Sequence, residues 1–129
     1  MQGTVNIRVR YAETDQMKFA HHSAYIVWFE MARIELLREM GISYAQMEKE
    51  GILLPVLEVK ATFFKPAFFD EQLHVVARFA ALKKARLHID YQVFREQNLI
   101  CEGYSKHAFM NNQGRPIRPP QIFVETLKR

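Results

Sequence analysis

The chain has a single cysteine, Cys101, among its 129 residues. A lone thiol can form no internal disulfide and builds no zinc site by itself, which fits a reducing cytosol and leaves stability to the core. No internal repeat, linker or low-complexity stretch divides the sequence, so residues 1–129 are expected to form one domain. No run approaches the roughly 20 apolar residues of a membrane span. The opening MQGTVNIRVR lacks the apolar stretch of a signal peptide, and a cytoplasmic location is expected. Gly-x-Ser-x-Gly, a Walker loop, Gly-x-Gly-x-x-Gly and a helical His-Glu-x-x-His are all missing, which removes the commonest nucleophile, nucleotide and zinc signatures. His74, His88 and His107 lie in strand-like segments with no metal-ligand spacing, so neither a metal nor a cofactor is expected.

What is present is ordinary globular material. Residues are 49% hydrophobic and 25% charged, and a chain of this size buries about two-thirds of its unfolded surface. Formal net charge is +4, which suits an anionic partner or simply a solvated basic surface. A nucleic-acid binder would pair a basic face with exposed aromatics. The aromatics here sit at alternating strand positions or in a helix, so no nucleic-acid partner is expected.

Val5, Ile7, Val9 and Tyr11 alternate with polar residues and predict a first strand over 5–11. After a loop to about His22, a long helix is predicted from Ser23 or Ala24 to Met40, with Gly41 as its stop. Tyr25, Trp28, Phe29, Ala32 and Leu36 form one face, while Ile26, Val27, Met31, Ile34 and Leu37 fill much of the rest. Glu30, Arg33, Glu35, Arg38 and Glu39 are the polar positions. Apolar nearly all round at its start, this helix is expected to be wrapped by other structure there. Ser43 and Gln46 read as the capping box of a short second helix ending before Gly51.

Four strands follow: Leu57–Phe63, Leu73–Phe79, Leu87–Val93 and about Leu99–Met110. Glu96-Gln97-Asn98 is a hairpin connection, Asn111 to Gly114 a turn, and a short helical tail closes the chain. Short connections force antiparallel neighbours. The fold class is therefore α+β, an antiparallel sheet wrapped on one helix. Its open strand edges invite a second chain, so a homodimer is expected.

Chemistry concentrates in RYAETDQMKFAHHSAYIVWFEMAR, residues 10–33. A helix N-terminus offers unpaired N–H groups and partial positive charge, which can stabilise a developing oxyanion. A carboxylate beside it, Asp15, can attack a carbonyl or activate water. Tyr25, Trp28 and Phe29 supply an apolar wall. The same Thr14-Asp15 pair also serves as turn and capping chemistry, and His21 and His22 as loop hydrogen-bonding residues. The residues alone leave both readings open.

The segment YAETDQMKFAHHSAYIVWFEMAR resembles the signature of the hotdog-fold acyl-CoA thioesterases of the 4-hydroxybenzoyl-CoA thioesterase and YbgC-like group. Asp15, His22, Tyr25, Phe29, Ala32 and Arg33 occupy the matching places, and VKATFFKPAFFDEQLHV resembles the family's second-strand pattern, with Lys65-Pro66-Ala67 and Asp70. The likeness runs from about Val5 to Phe123. It implies a hotdog fold and hydrolysis of an acyl-CoA to free acid and coenzyme A. Asp15 would be nucleophile or general base, His22 would supply a polarising backbone N–H and an assisting side chain, and Tyr25 would shape the site. Lys83, Lys84 and Arg86, with Lys65 a weaker candidate, would bind the phosphates of coenzyme A. Sites at subunit interfaces of a homodimer or dimer of dimers follow from the same resemblance, and an acyl-carrier protein is a possible substrate carrier. One position departs: the family usually has Gly three residues after the Asp, and this chain has Lys18. The rival readings are a hotdog module that binds acyl-CoA or acyl-carrier protein without cleaving it, and a hotdog dehydratase, whose pattern of acid and base residues is not seen.

Overall fold

Period-two alternation produces the strands and the apolar run after His22 produces the long helix, in the order the sequence dictates. A computed structural model describes residues 1–127 and shows β1 (Gln2–Arg8), α1 (His22–Glu39), α2 (Tyr44–Lys49), β2 (Val56–Phe63), β3 (Gln72–Lys83), β4 (Arg86–Arg95), β5 (Asn98–His107) and α3 (Gln121–Leu127). The five strands form one antiparallel sheet in the order β1-β3-β4-β5-β2. The sheet curls around α1, which packs mainly on β1 and β3. This is the hotdog arrangement. Among the described residues no helix is long and apolar enough to cross a membrane.

The sheet approaches α1 closely at two glycines. A Cβ on Gly3 of β1 would lie within 2.6 Å of the Leu36 Cα, and one on Gly103 of β5 would press on the Phe29 ring at 3.0 Å. With no side chain at Gly103, Phe29 lies flat on Tyr91, centroids 4.4 Å apart and planes 6° from parallel. Trp28, Phe29, Ala32, Leu36 and Leu37 are buried to 1% exposure or less.

Several local expectations shift. β1 ends at Arg8 rather than Tyr11, because the Arg10 N–H is taken by the Glu13 carboxylate (2.8 Å) and the chain coils into a single 3-10 turn, Tyr11–Glu13. Tyr11 is left exposed, edge-on to Phe69. The start of α1 is not wrapped on all sides within this chain: Ile26, Val27 and Met31 remain 40–48% exposed. Arg33, a polar position in the helical pattern, is turned inward and only 7% exposed. The expected Ser43–Gln46 box is half made. The Ser43 hydroxyl accepts the Gln46 N–H, while the Gln46 amide turns to Glu50.

Arg33 enters a buried polar chain. Its Nη1 donates to the Tyr91 hydroxyl (3.0 Å), which is 2.6 Å from the Ser105 hydroxyl, which is 2.7 Å from His107 Nε2; Nδ1 of His107 faces the Leu54 carbonyl at 3.2 Å. A carbonyl accepts only, so Nδ1 carries the proton and Nε2 accepts from Ser105. Ser105 then accepts from Tyr91, and Tyr91 from Arg33. Neutral His107 completes this order. Burial, followed by the Arg33 charge, pushes its pKa down to about 4.

Candidate active site

The loop before α1 is a small hairpin. Thr14 bridges Ala20, the Asp15 N–H donates to the Phe19 carbonyl (2.9 Å) and the Lys18 N–H to the Asp15 carbonyl (2.9 Å). Inside it, Asp15 Oδ1 accepts the backbone N–H groups of Met17 (2.8 Å) and Phe19 (3.2 Å). Asp15 Oδ2 has no hydrogen-bond partner among the described residues. One oxygen thus fixes the carboxylate while the other is free for chemistry.

Lys18 has φ of +68°. This left-handed conformation favours glycine. Lysine therefore adopts, at some cost in strain, a backbone conformation that glycine takes freely. The Lys18 carbonyl accepts from Phe69 (3.1 Å), the Ala67 carbonyl accepts from Ala20 (2.8 Å), and the Phe19 and Phe68 rings pack edge to face. These contacts join the Asp15 loop to the 64–71 segment opposite.

His22 is the first residue of α1, and the His21 side chain makes no cap bond. The Ala24 N–H donates back to the His21 carbonyl (3.0 Å), whereas those of His22 and Ser23 have no intrahelical acceptor, and no acidic residue lies in that turn to offset the partial positive charge. The His22 ring stacks on Phe63 of β2, centroids 4.6 Å apart. Tyr25 is 2% exposed and packs against Phe63 and Trp28. Burial, reinforced by Cys101 beside it, pushes its pKa up to about 12, so it stands as a neutral phenol in the wall.

Asp15, His22, Tyr25, Phe19, Phe63 and Lys65 together line a cleft of about 280 Å³. Four of the residues singled out in the sequence therefore meet at one place, including Lys65. Lys83, Lys84 and Arg86 do not join them within the chain. They lie at the β3–β4 turn, where Lys84 and Ala85 both have positive φ. Phe63 pairs with Cys101, and Cys101 with Val93. From Val93 to Arg86 is seven residues of β4, about 23 Å along the strand.

Two polar supports were not read from the sequence. Arg95 Nη1 donates to the Pro66 carbonyl (3.0 Å) and to Glu71 Oε1 (3.1 Å), and that same oxygen accepts the Phe68 N–H (2.6 Å), bracing the 65–71 wall. Glu13 holds the Asp15 loop from the other side. Only the acidic neighbourhood of Asp15 hinted at it.

A single antiparallel sheet wrapped on one long helix is the hotdog fold, and in it Asp15 shares a cleft with His22, the first residue of α1. The sequence profile of the thioesterase-like superfamily matches residues 9–127, and the chain belongs to that family. It is a thioester hydrolase. It is similar to the crystal structure of hypothetical protein TT1821 from Thermus thermophilus (39% identity, TM-score 0.91, covering 98% of this chain and 97% of that one). It is also similar to the DHNA-CoA thioesterase of Staphylococcus aureus (30% identity, TM-score 0.89, 98% and 87% covered). The acyl-CoA thioesterase YbgC of Helicobacter pylori is 26% identical over 130 residues, 93% of this chain and 96% of the relative.

Proposed function

We propose that the chain hydrolyses acyl-coenzyme A thioesters, with Asp15 as the reacting carboxylate. The observation that carries this reading is the split use of Asp15: Oδ1 is held by two backbone amides, while Oδ2 is unpartnered among the described residues and the group lines the cleft. A carboxylate fixed in this way reaches a bound carbonyl carbon without first being oriented. The amides at His22 and Ser23 stand where the carbonyl oxygen becomes negative. Lys65 on the wall is a cation for the substrate's phosphates or the leaving thiolate.

Two routes start from ionised Asp15. Oδ2 attacks the carbonyl, expels the coenzyme A thiolate and leaves an acyl–aspartyl anhydride that water cleaves; or Oδ2 takes a proton from a water that attacks directly. Both give one carboxylate, one thiol and one proton released per water consumed. Single turnover in ¹⁸O-labelled water identifies the anhydride route where water attacks the aspartyl carbon, because the label then enters Asp15; attack at the acyl carbon labels the product acid, as the direct route does.

The reading includes a second copy of the chain. β1 presents Gln2, Thr4, Asn6 and Arg8 at its edge, whereas β2 exposes Val56, Leu57, Val59 and Phe63, and α1 exposes Ile26, Val27 and Met31. The apolar edge is the one suited to pairing. Antiparallel pairing of β2 with β2 of a second copy reverses that copy end for end. Its Lys83–Arg86 turn then comes to the Asp15 end, where coenzyme A phosphates would lie beyond the cleft. An acyl-carrier protein presents the same thioester on a phosphopantetheine arm and is the alternative carrier.

The test is thiol release from short, long and aromatic acyl-CoAs by the native protein and by Asp15→Asn. Asparagine keeps an oxygen acceptor for Met17 and Phe19 but cannot act as carboxylate. Turnover is expected to fall by about 10³-fold, within the range for losing an acid–base group, with melting unchanged. Native-like turnover in the variant overturns Asp15 as the reacting group.

A further inference from the structure

The loop that carries Asp15 has to be held against α1 by something, and the helix cap does not do it, since the His21 side chain makes no cap bond. The tie is Glu13. Its side chain is only 9% exposed and each of its oxygens is engaged. Oε2 accepts the indole N–H of Trp28 (2.8 Å), two turns into α1, and Oε1 accepts the Arg10 N–H (2.8 Å). Its own carbonyl accepts the N–H of His21, the residue just before the helix (2.7 Å). Glu13 therefore joins three points: the strand arm entering the loop, the strand arm leaving it, and the helix body.

We infer that Glu13 is a positioning residue for the reaction, setting the distance between the Asp15 carboxylate and the first-turn amides of α1. The inference rests on the reading of Asp15 as the reacting carboxylate. The physical case is one of leverage. Asp15 is two residues beyond Glu13, and the hairpin bonds that fix it are all internal to the loop. Those bonds keep the loop's shape but not its place. Of the side-chain hydrogen bonds among the described residues, only Glu13–Trp28 runs from residues 13–21 to the body of α1. A shift of about 1 Å between reacting groups can cost about 100-fold in rate.

Glu13→Gln separates positioning from folding. The amide fills the same space and can accept from one partner, but its NH₂ meets either the indole N–H or the Arg10 N–H, donor against donor. The expected result is a kcat lowered 10- to 100-fold, on the order of that misplacement cost, with KM within about threefold and the far-ultraviolet spectrum unchanged. Amide hydrogen exchange gives a readout independent of turnover. The His21 N–H and the Trp28 indole N–H should exchange about tenfold faster in Glu13→Gln, the factor for about 1.4 kcal/mol of lost local protection, while core strand amides keep their rates. Glu13→Gln combined with Trp28→Phe should lose little kcat beyond Trp28→Phe alone, since both break one bond.

Unchanged exchange at His21 and Trp28, or native kcat in Glu13→Gln where Asp15→Asn is inactive, overturns the positioning role and leaves the hydrolase reading standing. An equal loss of kcat and core protection also overturns it, because that is simple destabilisation. Full activity of Asp15→Asn together with a low kcat in Glu13→Gln removes the Asp15 reading and with it the stated purpose of the tie.

Discussion

Two polar constellations are built on the same helix and differ in almost every respect. The chain from Arg33 through Tyr91 and Ser105 to His107 is sealed in the core, and its hydrogen bonds run in one direction to the Leu54 carbonyl. The Asp15 loop lies at the surface, with one carboxylate oxygen tied and the other open. Burial has pushed the His107 pKa down and the Tyr91 pKa up, the kind of perturbation often taken to mark function. Yet both ring nitrogens of His107 have protein partners and the residue is fully buried, so nothing remains for a substrate. The useful mark of a reacting group here is an unused lone pair on an otherwise restrained side chain.

Substitutions in the two constellations should give opposite results. After the loss of turnover in Asp15→Asn, the largest expected effect is on assembly. Val27→Asp with Met31→Asp places charge on the exposed apolar strip of α1, and sedimentation should show monomers with thiol release lowered at least tenfold if the site needs a second copy, since a charge left unpaired at an interface costs several kcal/mol. A variant that stays dimeric and active removes β2 and α1 as the contact.

Next comes the buried chain. His107 has a folded pKa of about 4 against 6.5 unfolded, so between these values the unfolded state binds more protons and stability rises with pH. The contribution is complete above about pH 6.5 and is lost as pH falls through 4, amounting to about 3 kcal/mol. Urea midpoints at pH 7 and 4.5 should therefore differ less in His107→Asn than in the native protein. Ser105→Ala strands the Tyr91 hydroxyl and the His107 Nε2 and should cost about 1–3 kcal/mol, read in urea, with kcat unchanged. A fall in kcat with no loss of stability would place the buried chain in the reaction and dissolve the contrast.

The smallest effect is at Lys18. Glycine at this positive-φ position relieves strain, offset partly by the freedom glycine gains when unfolded. Lys18→Gly should raise stability by a few tenths to about 1 kcal/mol with the loop hydrogen bonds intact. A loss of stability would mean that the lysine side chain holds the loop.

Much of this was legible in the sequence because it depends on local periodicity. Alternation at Leu73–Phe79 and Leu87–Val93, with the Glu96–Gln97 turn, placed the central strands, and the run from Tyr25 to Leu36 placed α1. Asp15, His22 and Tyr25 were legible because they lie within eleven residues of one another and flank a helix start. Lys65 came from the family resemblance, and the fold brought it to the same cleft. Supports formed across long separations were not legible: Trp28 to Glu13 spans 15 residues, Arg95 to Pro66 spans 29, and Arg33 to Tyr91 spans 58. Arg33 was read only as a polar position of the helix, because helical phase gives the direction of a side chain but not what waits there to accept a hydrogen bond. The exposed strip Ile26–Val27–Met31 has the same cause in reverse, since apolar character favours burial without saying what the fold packs there.

On the proposed β2 pairing, the unequal edges of the sheet also govern when growth stops. A strand edge that pairs with its own copy through a two-fold axis is consumed by the act of pairing. What remains outside is β1, short and lined by Gln2, Thr4, Asn6 and Arg8, a poor template for another strand. Two copies joined at β2 would make a ten-stranded sheet with both ends blunt: a particle of fixed size rather than a fibre. A mutation that made β1 apolar would therefore be dangerous out of proportion to its effect on the single molecule, because it would turn a closed pair into a link in an open chain.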